Sequence, residues 1–314
     1  MQIPTPPTSS NGTPEEGQDL ADQPSTVVSV STSFHPTANL DSCPPDVCLM
    51  SVDSVFFYVH SHKLLAASNN AFNNTIPSRC GEEPAVVSLP EHSAELNVLL
   101  HAIYNLSAAQ YSPPLDAVSA CVDAMRVYGI DPHTHIAPQT PLFSLIMGLT
   151  PAAPLDCYAL ASSQDLYDLA VAISSFLLSY SLADITDEAA ARIGPKYLKR
   201  LFFLHLGRAE RLKLLLLPPP SSHPPTPFCD LVEQKRLTRA WALATAYLAW
   251  EAGPDLSTAS IEAALRPLGE HLGCEQCQIL LRERINNLVV QWSVVKLTQG
   301  NTVHADVWWT ACPK

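Results

Sequence analysis

The chain has 314 residues, of which 47% are hydrophobic, and its formal net charge is −12 at pH 7. This length and hydrophobic content predict a globular protein with one large core or two moderate ones, and we expect two domains. The acidic balance argues against binding to nucleic acid or to an anionic membrane surface, because both carry negative charge and no compact basic patch interrupts the sequence.

The N-terminal segment, residues 1–33, is predicted to be a disordered tail. Its first 25 residues are rich in Pro, Ser, Thr, Glu and Asp and cannot bury enough apolar surface to offset chain entropy. Residues 25–34 are more β-prone, and they predict either an extra edge strand or a locally sticky linker. The start lacks a signal-peptide pattern and no long apolar run follows, so we expect a soluble protein of the cytoplasm or nucleus with reduced cysteines.

Residues 46–72 predict a β-hairpin followed by a helix. Residues 47–51 alternate in polarity, residues 52–54 form a turn, and residues 55–60 are β-branched and aromatic. Apolar and small residues then recur at helical spacing up to residue 72. A hairpin with its first covering helix is therefore expected.

This stretch resembles the opening of a BTB/POZ domain. The pattern of that family is an Asp followed by hydrophobes, then Ser-x-Asp, Phe-x-Val-His, Leu-x-x-x-Ser and Phe. The matching positions are Asp46, Ser51, Asp53, Phe57, Val59, His60, Leu64, Ser68 and Phe72. In such a domain the Asp and His of the hairpin have a structural role, because they hydrogen-bond at the hairpin and at helix starts.

The resemblance continues through the next elements. Residues 85–89 predict a short buried strand, and a helix with apolar positions on one face follows from residue 90 and ends at the Ile103-Tyr104 pair that the family also shows. A further helix is predicted from Leu115 to Tyr128 and stops at Gly129. The expected BTB/POZ-like domain covers residues 34–135, and it is similar to the BTB domains that are numerous in fungi.

The remaining chain is predicted to be helical. Residues 150–217 resemble the BACK region that follows many BTB domains, residues 218–227 are a Pro-rich linker, residues 228–298 form a C-terminal helical region, and residues 299–314 are a tail. Basic residues between 196 and 213 are interpreted as the solvated face of an amphipathic helix. Heptad-like spacing from Leu281 to Val295 favours an intramolecular helical bundle over a coiled coil. The expected fold class is thus α+β, with a small covered sheet followed by an all-α region.

One group of residues has the spacing of a metal site. His271, Cys274 and Cys277 follow each other at intervals of three, and Cys229 is available from beyond the Pro-rich linker. Zinc takes four such ligands in a tetrahedron, so a structural zinc site is one interpretation. The alternative is a pair of buried or helix-start thiols, and no other cofactor is expected.

No catalytic residue is predicted. His60, His62 and Asp53 lack a nucleophile or a Gly-rich loop beside them, and the sequence contains no nucleotide-binding or zinc-protease motif. We therefore expect a non-enzymatic module that binds protein and forms a homodimer through its BTB domain. Two alternatives remain: a substrate adaptor for a cullin-type ubiquitin ligase, although residues 80–82 give a poor match to its signature, and a metal- or thiol-dependent enzyme using Cys274 and Cys277.

Overall fold

In the computed structural model the described residues are 29–77 and 84–299. Within them the fold is α+β, with four short strands and eleven α-helices. The strands are β1 (Ser29–Val30), β2 (Val47–Met50), β3 (Val55–Val59) and β4 (Ala85–Ser88). The helices are α1 (Ser61–Ala67), α2 (Ser93–Ile103), α3 (Leu115–Val127), α4 (Pro132–His135), α5 (Pro141–Leu149), α6 (Pro154–Ser163), α7 (Tyr167–Ser174), α8 (Asp187–Leu216), α9 (Leu231–Glu251), α10 (Thr258–Leu265) and α11 (Glu275–Ser293).

The four strands form one mixed sheet in the order β1-β3-β2-β4. β2 and β3 are the antiparallel arms of the predicted hairpin, with Leu49 opposite Phe57. β4 runs parallel to β2, and β1 runs parallel to β3. Ordered structure therefore begins by Ser29, inside the segment that the sequence predicts as a tail through residue 33, and Phe34 is fully buried.

A first core extends from Phe34 to Leu201. It joins one face of the sheet to α1–α3 and continues without a break into α5–α7 and the first half of α8, so the predicted boundary near residue 135 does not separate two cores. α5 occupies residues for which the sequence predicts no element, and its Leu142 and Ile146 are buried. Gly129 ends the α3 region at φ 65°, where a Cβ would lie 2.4 Å from the Asn69 side chain.

A second, smaller core extends from Leu212 to Trp292 and is formed by the end of α8 with α9–α11. We call this unit the C-terminal body. The heptad-like positions Leu281, Ile285 and Leu288 are buried inside it, so their seam packs within the chain. α8 belongs to both cores, and it is interrupted at Gly194, where the backbone is not helical and Pro195 begins the second part.

Three further details differ from the sequence-based expectation. β4 is an edge strand with Val86 61% exposed, so it is not a buried strand. α7 ends at Ser174 and is followed by a short 3-10 turn, so the helical region predicted for residues 150–217 is divided into short helices before α8. Arg208 is buried, in contrast to the solvated face predicted for the basic residues of α8.

Arg208 on α8 binds the segment that follows α9 and the segment that follows α11. Its Nε donates to the carbonyl oxygen of Pro254 at 2.5 Å, and its Nη1 donates to those of Val295 and Lys296 at 3.0 and 2.9 Å. The guanidinium also lies 4.4 Å from the centre of the Trp292 ring. The cation is thereby satisfied by backbone oxygens that have no helical partner at the end of α11.

The chain returns to the first core after α11. The backbone N–H of Gln299 donates to Ser174 Oγ at 3.0 Å, and the Tyr158 hydroxyl contacts both the Gln299 Oε1 at 2.7 Å and the carbonyl of Tyr197 at 3.0 Å. No helix among the described residues is long and apolar enough to cross a membrane.

Candidate metal centre

Four side chains with metal-ligand chemistry converge at one end of the C-terminal body. His223 and Cys229 come from the Pro-rich linker and the turn after it, Cys274 immediately precedes α11, and Cys277 lies in its first turn. The four ligand atoms all lie within 4.8 Å of one another. We call these four residues the His/Cys cluster.

The individual distances within the His/Cys cluster are short. His223 Nε2 is 3.2 Å from Cys277 Sγ and 3.4 Å from Cys274 Sγ, and the Sγ atoms of Cys229 and Cys277 are 3.7 Å apart. All three thiols are free, since none is in a disulfide. Cys229 and Cys277 are buried, whereas Cys274 and His223 are partly exposed.

Local backbone structure presents Cys229. Thr226 and Cys229 exchange backbone hydrogen bonds of 2.9 and 3.2 Å, which closes a tight turn directly before α9. The carboxylate of Asp230 then caps α9, accepting from the N–H groups of Val232 and Glu233 at 2.8 and 2.9 Å. The thiol is consequently fixed between a turn and a capped helix start.

The imidazole of His223 is oriented by its neighbours. Its Nδ1 lies 2.7 Å from the carbonyl oxygen of Pro224, which can only accept, so Nδ1 carries the proton and Nε2 presents a lone pair to the thiols. The buried side chain of Gln234 holds the backbone of His223 at both its N–H and its carbonyl, at 3.3 and 3.0 Å. This is the arrangement that fixes tautomer and ring orientation in metal-binding histidines.

The three thiols of the cluster differ in pKa, because they differ in burial and in their position relative to the start of α11. The pKa of Cys274 falls to about 7, chiefly because the backbone N–H of Cys277 points at its sulfur. Burial raises the pKa of Cys277 to about 12 and also raises the pKa of Cys229. The protein alone therefore stabilises one thiolate, and the other two need a cation beside them to lose their protons.

The structure brings three of the four sequence-based candidate ligands together and leaves the fourth apart from them. Cys229, Cys274 and Cys277 come together as expected, but His271 is exposed and outside the cluster. His223 occupies that place, because Gln234 on α9 binds the backbone of His223 and holds the Pro-rich linker against the start of α11. The available signal was a His six residues before Cys229, inside a segment that was interpreted only as a spacer.

The polar residues of the BTB-like signature are placed in structural hydrogen bonds. Asp46 accepts from the backbone N–H and the hydroxyl of Ser61 at the start of α1, at 2.7 and 2.5 Å. Asp53 accepts from the same two groups of Ser93 at the start of α2, at 2.8 and 2.6 Å. Ser51 closes the hairpin by bonding Val55 through its side chain.

The remaining signature residues join the hairpin to the helices. His60 Nδ1 and backbone N–H contact the Tyr104 hydroxyl at 2.8 and 2.9 Å, and its Nε2 donates to the carbonyl of Cys43 at 2.9 Å. Ser68 donates to the carbonyl of Tyr128 at 2.6 Å. The apolar members are buried in the first core: Phe57, Val59, Leu64 and Phe72.

Two clefts lie on the described surface of the first core. A cleft of about 570 Å³ near α5 is lined by residues such as Ser107, Gln139 and Leu149, and none of its lining residues is ionisable. A second cleft, of about 500 Å³, includes Asp46, whose carboxylate already caps α1. Residues 80–82, Trp308 and Trp309 lie outside the described part of the chain.

No protein-family model, curated protein sequence or solved structure gives a significant match to the chain. The contacts described above therefore carry the functional argument. They divide into two sets, the hydrogen bonds that organise the hairpin of the first core and the converging side chains of the His/Cys cluster.

Proposed function

We propose that this chain is a non-enzymatic protein-interaction module of the BTB/POZ type that forms homodimers through its N-terminal half. The observation that carries the proposal is the use of the signature side chains. Asp46 and Asp53 beside the hairpin strands each accept hydrogen bonds at a helix start, and Ser68 after α1 holds the end of α3. A β3-β2-β4 order with β4 parallel to β2 accompanies them.

The same contacts argue against an enzymatic role for the first core. His60 and Asp53 are candidates for acid–base chemistry by residue type, but each is committed to hydrogen bonds that satisfy buried or helix-terminal groups. A catalytic pair needs a shared reacting position within hydrogen-bond reach, and the clefts described above do not place these two residues together.

Both edge strands of the sheet are open to pairing with a second copy of the chain. β1 and β4 each lack a neighbour on their outer edge among the described residues, and both present an exposed valine, Val30 at 39% and Val86 at 61%. Edge strands of this kind pair readily with a second chain unless they are covered. A stable symmetric interface buries about 1,600 Å² in total, which an edge strand with its flanking helices can supply.

The cullin-adaptor alternative relies on the exposed face of the helix around residues 92–106. In the structure Leu96 and residues 98–102 of α2 are buried, whereas Ala94 is exposed and Glu95, Asn97 and Ile103 are partly exposed. A cullin would have to bind at these exposed and partly exposed positions.

The test is the molar mass of the full-length protein by light scattering. We expect twice the chain mass of 34.1 kDa for the wild type. Val30→Lys and Val86→Lys are each expected to shift the mass toward the monomer, because a buried ammonium opposes strand pairing. Val127→Lys, at a position that is 53% exposed on α3, is the matched control and is expected to leave the mass unchanged.

A second set of substitutions locates the interface. Leu243, Tyr247 and Trp250 form an exposed apolar stripe on α9, at 75%, 61% and 90% exposure. The double variant Tyr247→Ser with Trp250→Ser should not change the mass if the N-terminal half forms the dimer. A wild-type monomer across the concentration range, or a dimer lost only with the α9 substitutions, would refute the proposal.

A further inference from the structure

We propose that the His/Cys cluster is a structural Zn²⁺ site that attaches the Pro-rich linker to the C-terminal body. The inference does not depend on the BTB-type function proposed above, since its residues all lie after residue 217. It rests on the geometry of the four ligand atoms, on the hydrogen bonds around them, and on the origin of the ligands in two separate segments.

Three of the six donor–donor distances are close to the edges of a zinc tetrahedron. With Zn–S bonds of about 2.3 Å and a Zn–N bond of about 2.0–2.1 Å, tetrahedral angles place two sulfurs about 3.8 Å apart and a nitrogen about 3.6 Å from each sulfur. The Sγ atoms of Cys229 and Cys277 are 3.7 Å apart, and His223 Nε2 lies 3.2 and 3.4 Å from the sulfurs of Cys277 and Cys274. The remaining donor pairs lie within 4.8 Å of one another, so small side-chain shifts bring all four donors to one Zn²⁺ ion.

The surroundings of the cluster are those of a metal site. His223 is held with its Nε2 lone pair toward the thiols by its Nδ1 bond to Pro224 and by Gln234. Cys274 stands at the N-cap position of α11, where the first backbone N–H groups of the helix have no helical partner and favour a negative charge beside them. A thiol pair that served only as core packing would not need either arrangement.

The ligand set selects the metal and its role. Three thiolates and one imidazole in a tetrahedron favour Zn²⁺ over the hard cations, which prefer oxygen. All four positions are filled by protein, so no position is open for water or substrate, and the site is structural in type. Two thiolates beyond Cys274 form as the metal displaces the protons of Cys229 and Cys277 to solvent.

The metal would connect segments that are far apart in sequence. His223 and Cys229 bracket the turn before α9, whereas Cys274 and Cys277 open α11, so one ion closes a loop that contains α9 and α10. The second core is small, and small cores are commonly reinforced by a disulfide or a metal. Zinc binding would therefore fix the linker and stabilise the C-terminal body together.

A disulfide between Cys229 and Cys277 is the competing explanation, because their sulfurs are only 3.7 Å apart. It would leave Cys274 as a thiol and give His223 no ligand role. The two explanations predict different products in the native protein: one bound metal with three protected thiolates, or no metal with one disulfide.

The experiment uses the full-length protein, purified without added metal or chelator, and measures zinc by elemental analysis together with a free-thiol count. We expect one zinc per chain in the wild type and loss of stoichiometric zinc in His223→Ala and Cys277→Ser. His271→Ala is the matched control, since that histidine precedes Cys274 by three residues but is exposed and outside the cluster, and it should retain the full complement. His223→Cys should also retain zinc, because it replaces one accepted ligand by another.

A second readout keeps the test valid if a ligand variant fails to fold. Wild-type protein stripped by a chelator and titrated with Co²⁺ should show the strong visible bands of tetrahedral cobalt and thiolate charge transfer, with an endpoint at one equivalent. A metal-free native protein, an intramolecular Cys229–Cys277 disulfide, weak octahedral cobalt bands, or equal zinc in the wild type and His223→Ala would each overturn the proposal.

Discussion

The hydroxyl of Tyr104 provides a quantitative test of the hairpin network. It accepts the backbone N–H of His60 at 2.9 Å and lies 2.8 Å from its Nδ1. Since His60 Nε2 donates to the carbonyl of Cys43, the ring nitrogen facing Tyr104 is the acceptor in the neutral tautomer, and the hydroxyl donates to it. Burial raises the pKa of Tyr104 to about 12, so the hydroxyl keeps the proton it donates at neutral pH.

Tyr104→Phe removes this oxygen and leaves the His60 N–H without a partner. His60 is only 2% exposed, so water cannot replace the lost acceptor. An unsatisfied buried polar group costs about 1–3 kcal/mol, and we expect a loss in unfolding free energy of about 2 kcal/mol. At a urea m-value of about 2 kcal/mol/M, this corresponds to a shift of about 1 M in the unfolding midpoint.

The matched control is Tyr111→Phe, the same chemical change at an exposed tyrosine whose hydroxyl contacts Thr32 and Ser33. Water can replace those contacts, so its effect should stay within about 0.5 kcal/mol. Urea unfolding followed by far-UV circular dichroism measures both variants. Equal midpoints for Tyr104→Phe and Tyr111→Phe would contradict the structural role assigned to the His60 contact.

Three further predictions concern other parts of the chain. Arg208→Met should destabilise the C-terminal body by about 1.5–3 kcal/mol in urea unfolding, because three carbonyl groups lose the charged donor that the buried guanidinium supplies. The exposed Arg211→Met should be nearly neutral. Leu288→Ala should cost about 2–5 kcal/mol by thermal unfolding, and Val290→Ala, at 62% exposure, should cost little. A backbone hydrogen bond from Ser42 is the main interaction that lowers the pKa of the Asp41 carboxyl from 3.8 to about 2. The stabilisation of the folded state by this carboxylate is therefore present above about pH 4 and lost as the pH falls toward 2. Asp41→Asn should remove this pH dependence of the unfolding free energy, as measured by acid titration followed by circular dichroism.

Tryptophan fluorescence reports selectively on the C-terminal body in the Leu288 and zinc experiments. All five tryptophans of the sequence follow residue 240, and Trp241 and Trp292 are buried in the second core. A destabilised C-terminal body should therefore shift the fluorescence transition. The far-UV signal of the first core should change less.

The α+β class and the hairpin could be predicted from the sequence because their signals are local. Alternation at residues 47–51, the turn at residues 52–54 and the β-branched and aromatic residues 55–60 determine β2 and β3. The sequence also predicts helices in residues 228–298, where the structure has α9–α11. The parallel pairing of β1 with β3 could not be predicted, since it depends on contacts between segments that lie far apart in the chain, one of them only two residues long.

The candidate site shows the same limit. The Cys274-x-x-Cys277 spacing is local and was visible, but the fourth ligand depends on where the linker folds. His223 reaches the thiols because Gln234, eleven residues later, anchors its backbone. Arg208 was missed for a similar reason, because its carbonyl partners lie 46 to 88 residues away and leave no periodic signal in the sequence.

The single hydroxyl of Tyr158 has a consequence for how the chain is connected. It bonds Tyr197 on the way out of the first core and Gln299 on the way back, so the two ends of the intervening segment lie side by side. The C-terminal body is therefore attached to the first core at two points, through α8 and through Gln299, and this double attachment restricts its rotation about α8.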